Sequence, residues 1–184
     1  SGFTGMQLGL LALLWYNAIY TPLKRKTAFA VVPGAVIGSI PPLVGWVAGG
    51  GQLFDPRAMI MAFFFFIWQV PHFWLLMLKY GKEYKSAGFP SITSLYSTAQ
   101  IKNITFIWII ATAVSALMLP FFNVVNSWVV IAGMIISSIW LVAVFTGMLR
   151  KKEQNFRPFH YFMRINYYVL SIIILLSIDH FFAV

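Results

Sequence analysis

Charged residues are scarce in this 184-residue chain, and acidic ones are the scarcest. Only 9% of the residues are charged and four are acidic, whereas about 25% charged residues is usual in a soluble domain. Cysteine is absent, which excludes a disulfide framework and a thiolate metal site. Hydrophobic residues make up 60% of the chain, and the mean hydropathy is +0.83. The composition therefore predicts an integral membrane protein.

The net charge of +9 comes from basic residues that stand in short clusters between apolar runs. This pattern is typical of loops that meet anionic lipid headgroups, so we expect the lipid bilayer as a partner and no nucleic acid. The chain opens at Ser1, and its start has neither the basic region nor the small-residue cleavage site of a signal peptide. We therefore expect a fragment that lacks the start of a longer protein.

Six apolar runs approach the roughly 20 residues that a helix needs to cross a bilayer. They cover residues 6–20, 28–48, 58–78, 104–122, 124–149 and 159–182. No period-two alternation marks the strands of a β-barrel. The predicted fold class is all-α, a polytopic transmembrane helical bundle with six spans, and residues 1–184 form a single domain.

Basic residues fall almost entirely in alternate loops, since twelve of the thirteen share one predicted side and only Arg57 lies on the other. The positive-inside rule makes the basic loops cytoplasmic and places both ends of the chain outside. The first run should end near Tyr20, because Pro22 stops the helix, which leaves Lys24 at the cytoplasmic surface.

The second apolar run contains small residues and prolines. Gly34 and Gly38 have the spacing of closely packed helices, an interpretation that we favour over the wall of a polar cavity. Pro41 and Pro42 remove two backbone donors, so we expect a kink near the middle of the membrane.

The third run holds two polar residues, Gln69 and His72, on either side of Pro71. An ionisable group inside hydrocarbon is costly unless it is paired, which makes His72 a functional candidate. We expect Pro71 to bend this helix. Side chains at three- or four-residue steps should share one face, namely Trp68, Gln69, His72, Leu76, Lys79 and Glu83. On that face His72 either lines a cavity or only hydrogen-bonds another helix.

A loop that combines lysines with one carboxylate is predicted after the third run. Its polar residues are Lys79, Lys82, Glu83, Tyr84 and Lys85. The lysines either extend to lipid headgroups or bind the oxygens of a diphosphate. A diphosphate site with Mg2+ also needs two or more carboxylates, and only Glu83 and Glu153 lie on the predicted cytoplasmic side.

Four segments resemble one family, in the same order along the chain. They are YTPLKRKT at 20–27, IPPLVGW at 40–46, WQVPHFW at 68–74 and EYKSAGFPS at 83–91. They are similar to the UbiA-type intramembrane prenyltransferases, and within these to the branch of protoheme IX farnesyltransferases, or heme O synthases. The YxxxK pattern is shared across the wider family, whereas WQVPHFW followed by EYKSAGFPS is specific to this branch.

This resemblance implies a nine-helix bundle around a cavity that opens to the cytoplasm, of which the six spans are the last six. The enzyme would transfer a farnesyl group from farnesyl diphosphate to a vinyl group of heme b, giving heme O, with Mg2+ assisting departure of the diphosphate. It would lie in the bacterial inner membrane and would meet heme-modifying or oxidase-assembly proteins.

The resemblance also implies roles for individual residues. Tyr20 and Lys24 stand at the YxxxK motif and would be catalytic, with Lys79 and Tyr84 as further diphosphate-binding residues. Glu83 would be catalytic and would hold the metal ion, although it replaces the usual aspartate. The residues near the porphyrin would be His72, Trp68 and Gln69, with His72 as a candidate axial ligand. The first acidic motif of the family, N-x-x-x-D, does not occur here, so the fragment alone is expected to be inactive.

Two other functions remain open. One is a UbiA-type prenyltransferase that uses an aromatic quinone precursor as acceptor. The other is a membrane transporter or a non-catalytic scaffold, which a broken second span and a buried His72 would fit. An inverted repeat would favour transport, and none is found between spans one to three and four to six.

Overall fold

The computed structural model describes residues 2–182, and every regular element in that range is helical. The α-helices are α1 (Gly2–Leu14), α2 (Thr21–Leu23), α3 (Val31–Ala48), α4 (Pro56–Ser86), α5 (Ile92–Leu95), α6 (Thr98–Leu117), α7 (Trp128–Arg150) and α8 (Pro158–Phe182). A π-helical segment, Trp15–Tyr20, joins α1 to α2, and 3-10 turns cover Leu119–Phe122 and Glu153–Asn155. The all-α class is therefore confirmed.

Five helical segments are long and apolar enough to cross a membrane. They are Val31–Ala48, Pro56–Ser86, Thr98–Phe122, Trp128–Arg150 and Pro158–Asp179. The first predicted span, residues 6–20, is not among them, because α1 has only 13 residues and gives way to the π-helical segment at Trp15. The structure supports five spans, and a sixth stays a prediction.

Helix α4 continues where we predicted a loop. It begins at the N-cap Asp55, whose side chain accepts a hydrogen bond from the backbone N–H of Arg57. The predicted loop at 79–85 is wrong, because those residues form the last turns of α4. Lysine and glutamate are good helix formers, so the helix can leave the apolar layer without ending. It ends only near Gly88, whose φ of +76° favours glycine.

The prolines do not interrupt their helices. Helix α3 stays helical through Pro41 and Pro42, and α4 stays helical through Pro71. The residue of α4 with non-helical torsions is Tyr80, with φ −107° and ψ 16°, so α4 has a kink there, whereas the torsions around Pro71 stay helical. The next residue is Gly81, where an added Cβ would lie 2.8 Å from Oγ1 of Thr93. The bend therefore coincides with a close approach of the segment that follows α4.

The predicted packing role of the small residues on α3 is confirmed. A Cβ at Gly34 would lie 2.7 Å from Cδ2 of Tyr20, and one at Gly38 would overlap Oε1 of Gln69. Helix α3 thus lies against the π-helical segment on one side and against α4 on another. The two glycines provide the space for Tyr20 and Gln69.

Three apolar clusters hold the helices together. The largest joins α4, α6, α7 and α8 and includes the fully buried Phe64, Phe145 and Ile165. A second cluster around Trp74 joins α3, α4 and α6, and a third around Leu8 joins α1 to α3. Because α4 takes part in both larger clusters, it is the central helix of the bundle.

The loops rich in lysine and arginine meet at one end of the bundle, which we call the basic end. Nζ of Lys102, near the start of α6, donates a hydrogen bond of 2.7 Å to the backbone oxygen of Lys151, after α7. Nζ of Lys79, late in α4, lies 3.8 Å from the ring centroid of Phe159, at the start of α8. The first contact joins the start of α6 to the segment after α7, and the second places the last part of α4 beside the start of α8.

At the opposite end, Asp179 of α8 caps α7. Its two carboxylate oxygens accept hydrogen bonds of 3.1 Å from the backbone N–H groups of Asn126 and Ser127. Ser127 is the N-cap residue of α7, and its own side chain does not cap the helix. A carboxylate from a neighbouring helix therefore satisfies donors that the local sequence leaves unpaired.

Candidate active site

Tyr20, Lys24 and Tyr84 line one narrow cleft at the basic end. They come from the end of the π-helical segment, the C-cap of α2 and the part of α4 that follows the kink. Nζ of Lys24 lies 5.6 Å from the ring centroid of Tyr20 and 5.9 Å from that of Tyr16. The volume of the cleft is about 20 Å³, room for about one water molecule. One amine and two phenols thus converge there, in a space that a diphosphate would have to widen.

Lys79 and Glu83 line a different groove, with a volume of about 490 Å³. Its walls come from the end of α4, the start of α6 and the residues around the start of α8. Lys82 and Lys85 also line it, and Glu83 is the carboxylate among its described residues. The groove therefore presents three amines around a single carboxylate.

The helical repeat of α4 explains why the predicted site residues divide between two cavities. Successive residues of an α-helix point about 100° apart, so Glu83 and Tyr84 lie on different sides of α4. Tyr84 turns toward Tyr20 and Lys24, whereas Glu83 and Lys79 turn toward α6 and α8. The structure does not bring all five residues into one cavity.

The residues present do not by themselves form a Mg2+ site. Within residues 2–182 as described, no group of three histidine, cysteine, aspartate or glutamate side chains could hold a metal ion. Mg2+ is bound through oxygen ligands, usually one or two carboxylates together with waters and substrate phosphates. Glu83 offers one carboxylate, and the lysines around it favour an anion over a cation.

His72 lies between α4 and α8, at a point inside the apolar layer. Its Nδ1 is 3.0 Å from Oδ1 of Asn166 on α8. Its ring centroid is 4.8 Å from that of Trp68 and 4.6 Å from that of Phe162. His72 thus hydrogen-bonds another helix, and its role at a heme stays a prediction.

Asn166 also determines which nitrogen of His72 carries the proton. Nδ2 of Asn166 donates a hydrogen bond of 2.7 Å to the backbone oxygen of Phe162, so its amide oxygen faces His72. The reverse orientation would place two oxygens against each other. An oxygen acceptor requires that Nδ1 of neutral His72 be protonated, which leaves a lone pair on Nε2. Metal-binding histidines are commonly held in this way through their other nitrogen.

The other two residues predicted near the porphyrin, Trp68 and Gln69, face different helices. Trp68 packs beside His72, and its buried Nε1 has no hydrogen-bond partner in the described part of the chain. Gln69 instead faces α3 at Gly38. Trp68 and His72 therefore form one local site, and Gln69 lies outside it.

Sequence reasoning did not single out Asn166 or Phe162. The available signal was weak, namely one amide side chain among the aromatic, apolar and basic residues of the first half of α8. It became informative only once α8 was known to pack on the His72 side of α4. The contact between Lys79 and Phe159 was missed for the same reason.

Fold and site together define an all-helical integral membrane protein with cationic clefts at one end and a histidine–asparagine pair between two spanning helices. The chain belongs to the UbiA prenyltransferase family, whose family model matches residues 2–167.

Several relatives are protoheme IX farnesyltransferases. The protein of that name from Geobacter sulfurreducens is 44% identical over 116 residues, which is 63% of this chain and 43% of the relative. The one from Oleidesulfovibrio alaskensis is 32% identical over 178 residues, 95% of this chain and 61% of the relative. The one from Bacillus pumilus is 30% identical over 180 residues, 97% of this chain and 57% of the relative. The chain thus spans between about two fifths and three fifths of the length of these relatives, and no solved structure matches it.

Proposed function

We propose that the complete protein transfers a farnesyl group from farnesyl diphosphate to a vinyl group of heme b, which yields heme O. The observation that carries this proposal is the convergence of Tyr20, Lys24 and Tyr84 in one cleft. These residues belong to segments that resemble the heme-farnesylating branch, and the named relatives are protoheme IX farnesyltransferases.

The cleft supplies the first requirement of the reaction, which is to bind the diphosphate as it leaves. Lys24 provides a positive charge and the phenols of Tyr20 and Tyr84 provide hydrogen-bond donors. The allylic cation left behind is stabilised by aromatic faces, and the cleft is continued by Phe73 and Trp74. Apolar surroundings keep water from that cation.

Lys79 and Glu83 are proposed to serve the same leaving group from the neighbouring groove. UbiA prenyltransferases generally use Mg2+ with diphosphate substrates, and Glu83 is a carboxylate at the basic end that could contribute one oxygen ligand. The remaining ligands of such an ion would have to come from outside the described residues, so we derive no step through it. Lys79 would act as a cation toward the diphosphate.

His72 and Trp68 are proposed to contact the heme, with Gln69 placed behind them against α3. Asn166 leaves the lone pair of Nε2 available for the iron, and the indole N–H of Trp68 is a buried donor without a partner among the described residues. When bound, heme b would supply the vinyl group that forms a C–C bond to the farnesyl cation as the diphosphate leaves. Water would then add to the carbocation created beside the porphyrin and lose a proton, which gives the hydroxyl of heme O. His72 would fix the position of the porphyrin between α4 and α8.

The surroundings of the enzyme belong to the same proposal. It would lie in the bacterial inner membrane with a sixth span at the start of this chain and with the basic end in the cytoplasm. Heme-modifying or oxidase-assembly proteins would take up its product. The transporter alternative loses its main support, because α3 is helical through Pro41 and Pro42.

The test uses the full-length protein in membranes, supplied with farnesyl diphosphate and heme b. Lys24→Ala should lower heme O formation by about 10- to 150-fold, the value of one charge-assisted hydrogen bond. Lys26→Ala is the matched control, because Lys26 is exposed two residues away and does not line the cleft. Equal activity of both variants would contradict the role of the cleft. Transfer to 4-hydroxybenzoate in preference to heme would establish the alternative acceptor.

A further inference from the structure

We propose that α7 and α8 form a binding site for the phosphate of an anionic phospholipid, separate from the active site and independent of the proposed reaction. Two adjoining cavities at the basic end share Arg157, His160 and Arg164. One has a volume of about 730 Å³ and extends to Lys151 beyond α7. The other has a volume of about 670 Å³ and extends to Trp140 and aromatic residues of α8.

The basic residues form a stripe because of their spacing. His160, Arg164 and Tyr167 recur at steps of four and three residues, which places them on one face of α8. Arg157 directly precedes the helix, and Lys151 approaches from the α7 side. A single anion in this groove would therefore meet cationic groups from both sides.

The charge of the groove is not balanced by acidic residues. The sequence has four acids, of which Asp55 and Asp179 lie at the opposite end of the bundle and Glu83 lines another groove. That leaves Glu153, so at most one carboxylate could oppose the two arginines and one lysine. Among the described residues, the ion pair that occurs is Arg57 with Asp55, which is remote from this groove.

The position of Arg164 within a spanning helix favours a lipid over a purely aqueous anion. It is the seventh residue of α8, so it lies about 9 Å along the helix axis from Pro158. A cation at that depth in a spanning helix needs a counter-charge. The phosphate of an anionic lipid headgroup would supply that charge, and basic pockets between spanning helices are usual sites for such headgroups.

The surface beside the cations suits the rest of a phospholipid. Trp140 and Tyr167 are partly exposed at the inner edge of the groove, as aromatic residues commonly are at the level of the headgroups. Beyond them, Ile136 and Leu170 expose 68% and 52% of their surface. The groove is therefore cationic at one end and continuous with an apolar surface at the other, which matches a phosphate that carries acyl chains.

Two arginine substitutions test the site in the full-length protein. The protein is stripped of lipid in detergent and titrated with phosphatidylglycerol, and bound lipid is measured by native mass spectrometry. Wild type should retain phosphatidylglycerol in preference to phosphatidylcholine. Arg157→Gln/Arg164→Gln should weaken this binding by about 30-fold, at roughly fivefold for each cation near an anionic lipid.

Two variants control for charge and folding. Arg150→Gln removes a charge next to the groove without removing a lining residue, and it should bind phosphatidylglycerol like wild type. Arg157→Lys/Arg164→Lys keeps the charge and should retain most of the affinity. The proposal is wrong if the Gln pair binds like wild type, if Arg150→Gln loses as much as the Gln pair, or if wild type does not prefer phosphatidylglycerol. Displacement of the lipid by millimolar inorganic phosphate would reassign the groove to a soluble anion.

Discussion

Replacing Asn166 with leucine should damage the use of heme while leaving the use of farnesyl diphosphate intact. The substitution removes the oxygen that accepts from Nδ1 of His72 at 3.0 Å, and it keeps the size of the side chain nearly constant. A net hydrogen bond contributes about 0.5–1.5 kcal/mol, so its loss weakens the preference for the Nδ1-protonated tautomer by about 2- to 13-fold. The ring is also freed to turn away from Phe162, which adds to the effect.

Changes to residues that orient a metal-binding histidine commonly cost about 10- to 100-fold in affinity or activity. We therefore expect the KM for heme b to rise, or kcat/KM for heme b to fall, by about this factor, with the KM for farnesyl diphosphate unchanged. If His72 contacts the iron as proposed, the visible spectrum of bound heme should shift as well. Steady-state rates of the full-length enzyme, with each substrate varied in turn, separate the two effects.

Asn17→Leu is the matched control for this experiment. Nδ2 of Asn17 donates 2.8 Å to the backbone oxygen of Leu13, the same one-turn contact that Asn166 makes with Phe162, but without a histidine partner. It should leave the heme parameters within about twofold of wild type, as surface substitutions usually do. If Asn166→Leu folds and has the same KM for heme and the same spectrum as wild type, His72 does not position heme through Asn166.

Two further substitutions test how the helices are held. Gly34→Ala places a methyl group 2.7 Å from the ring of Tyr20 and should lower the free energy of unfolding by about 1–3 kcal/mol, with a parallel loss of activity. Gly45→Ala on the same helix is the control, because its methyl group meets open space and should be neutral or stabilising. Asp179→Ala removes the cap from the backbone N–H of Ser127 and should cost about 0.5–2 kcal/mol in a denaturant titration; an unchanged midpoint would show that the cap does not contribute.

The composition and the apolar runs were enough to predict the class of fold, because a helix that crosses a bilayer must be apolar along its whole length. The ends of the helices were harder to predict. Lys79 looked like the start of a loop because charge marks the edge of the apolar layer, yet α4 continues past the kink at Tyr80 to Ser86, two residues before the left-handed turn at Gly88. Charge in a sequence therefore does not by itself mark the end of a helix.

The prolines also did not indicate where the backbone torsions depart from helical values. Pro41, Pro42 and Pro71 each remove a backbone donor, but close packing of α3 and α4 keeps the surrounding torsions helical. The kink occurs at Tyr80, and the next residue, Gly81, closely approaches Thr93. That contact joins two elements that only tertiary structure brings together, so no local pattern could have predicted it.

The directions in which the side chains of α4 point explain which part of the candidate site was predictable. Side chains at three- or four-residue steps along α4 were expected to face one cavity. Instead, Gln69 faces α3, whereas His72, only three residues later, faces α8. At the basic end Tyr84 and Glu83 separate in the same way. A helix at the centre of a bundle has neighbours on all sides, so spacing alone does not say which neighbour a polar residue meets.

Because α4 contributes to every candidate cavity of the active site, movement of its segment beyond Tyr80 would change the cleft of Lys24 and the groove of Lys79 together.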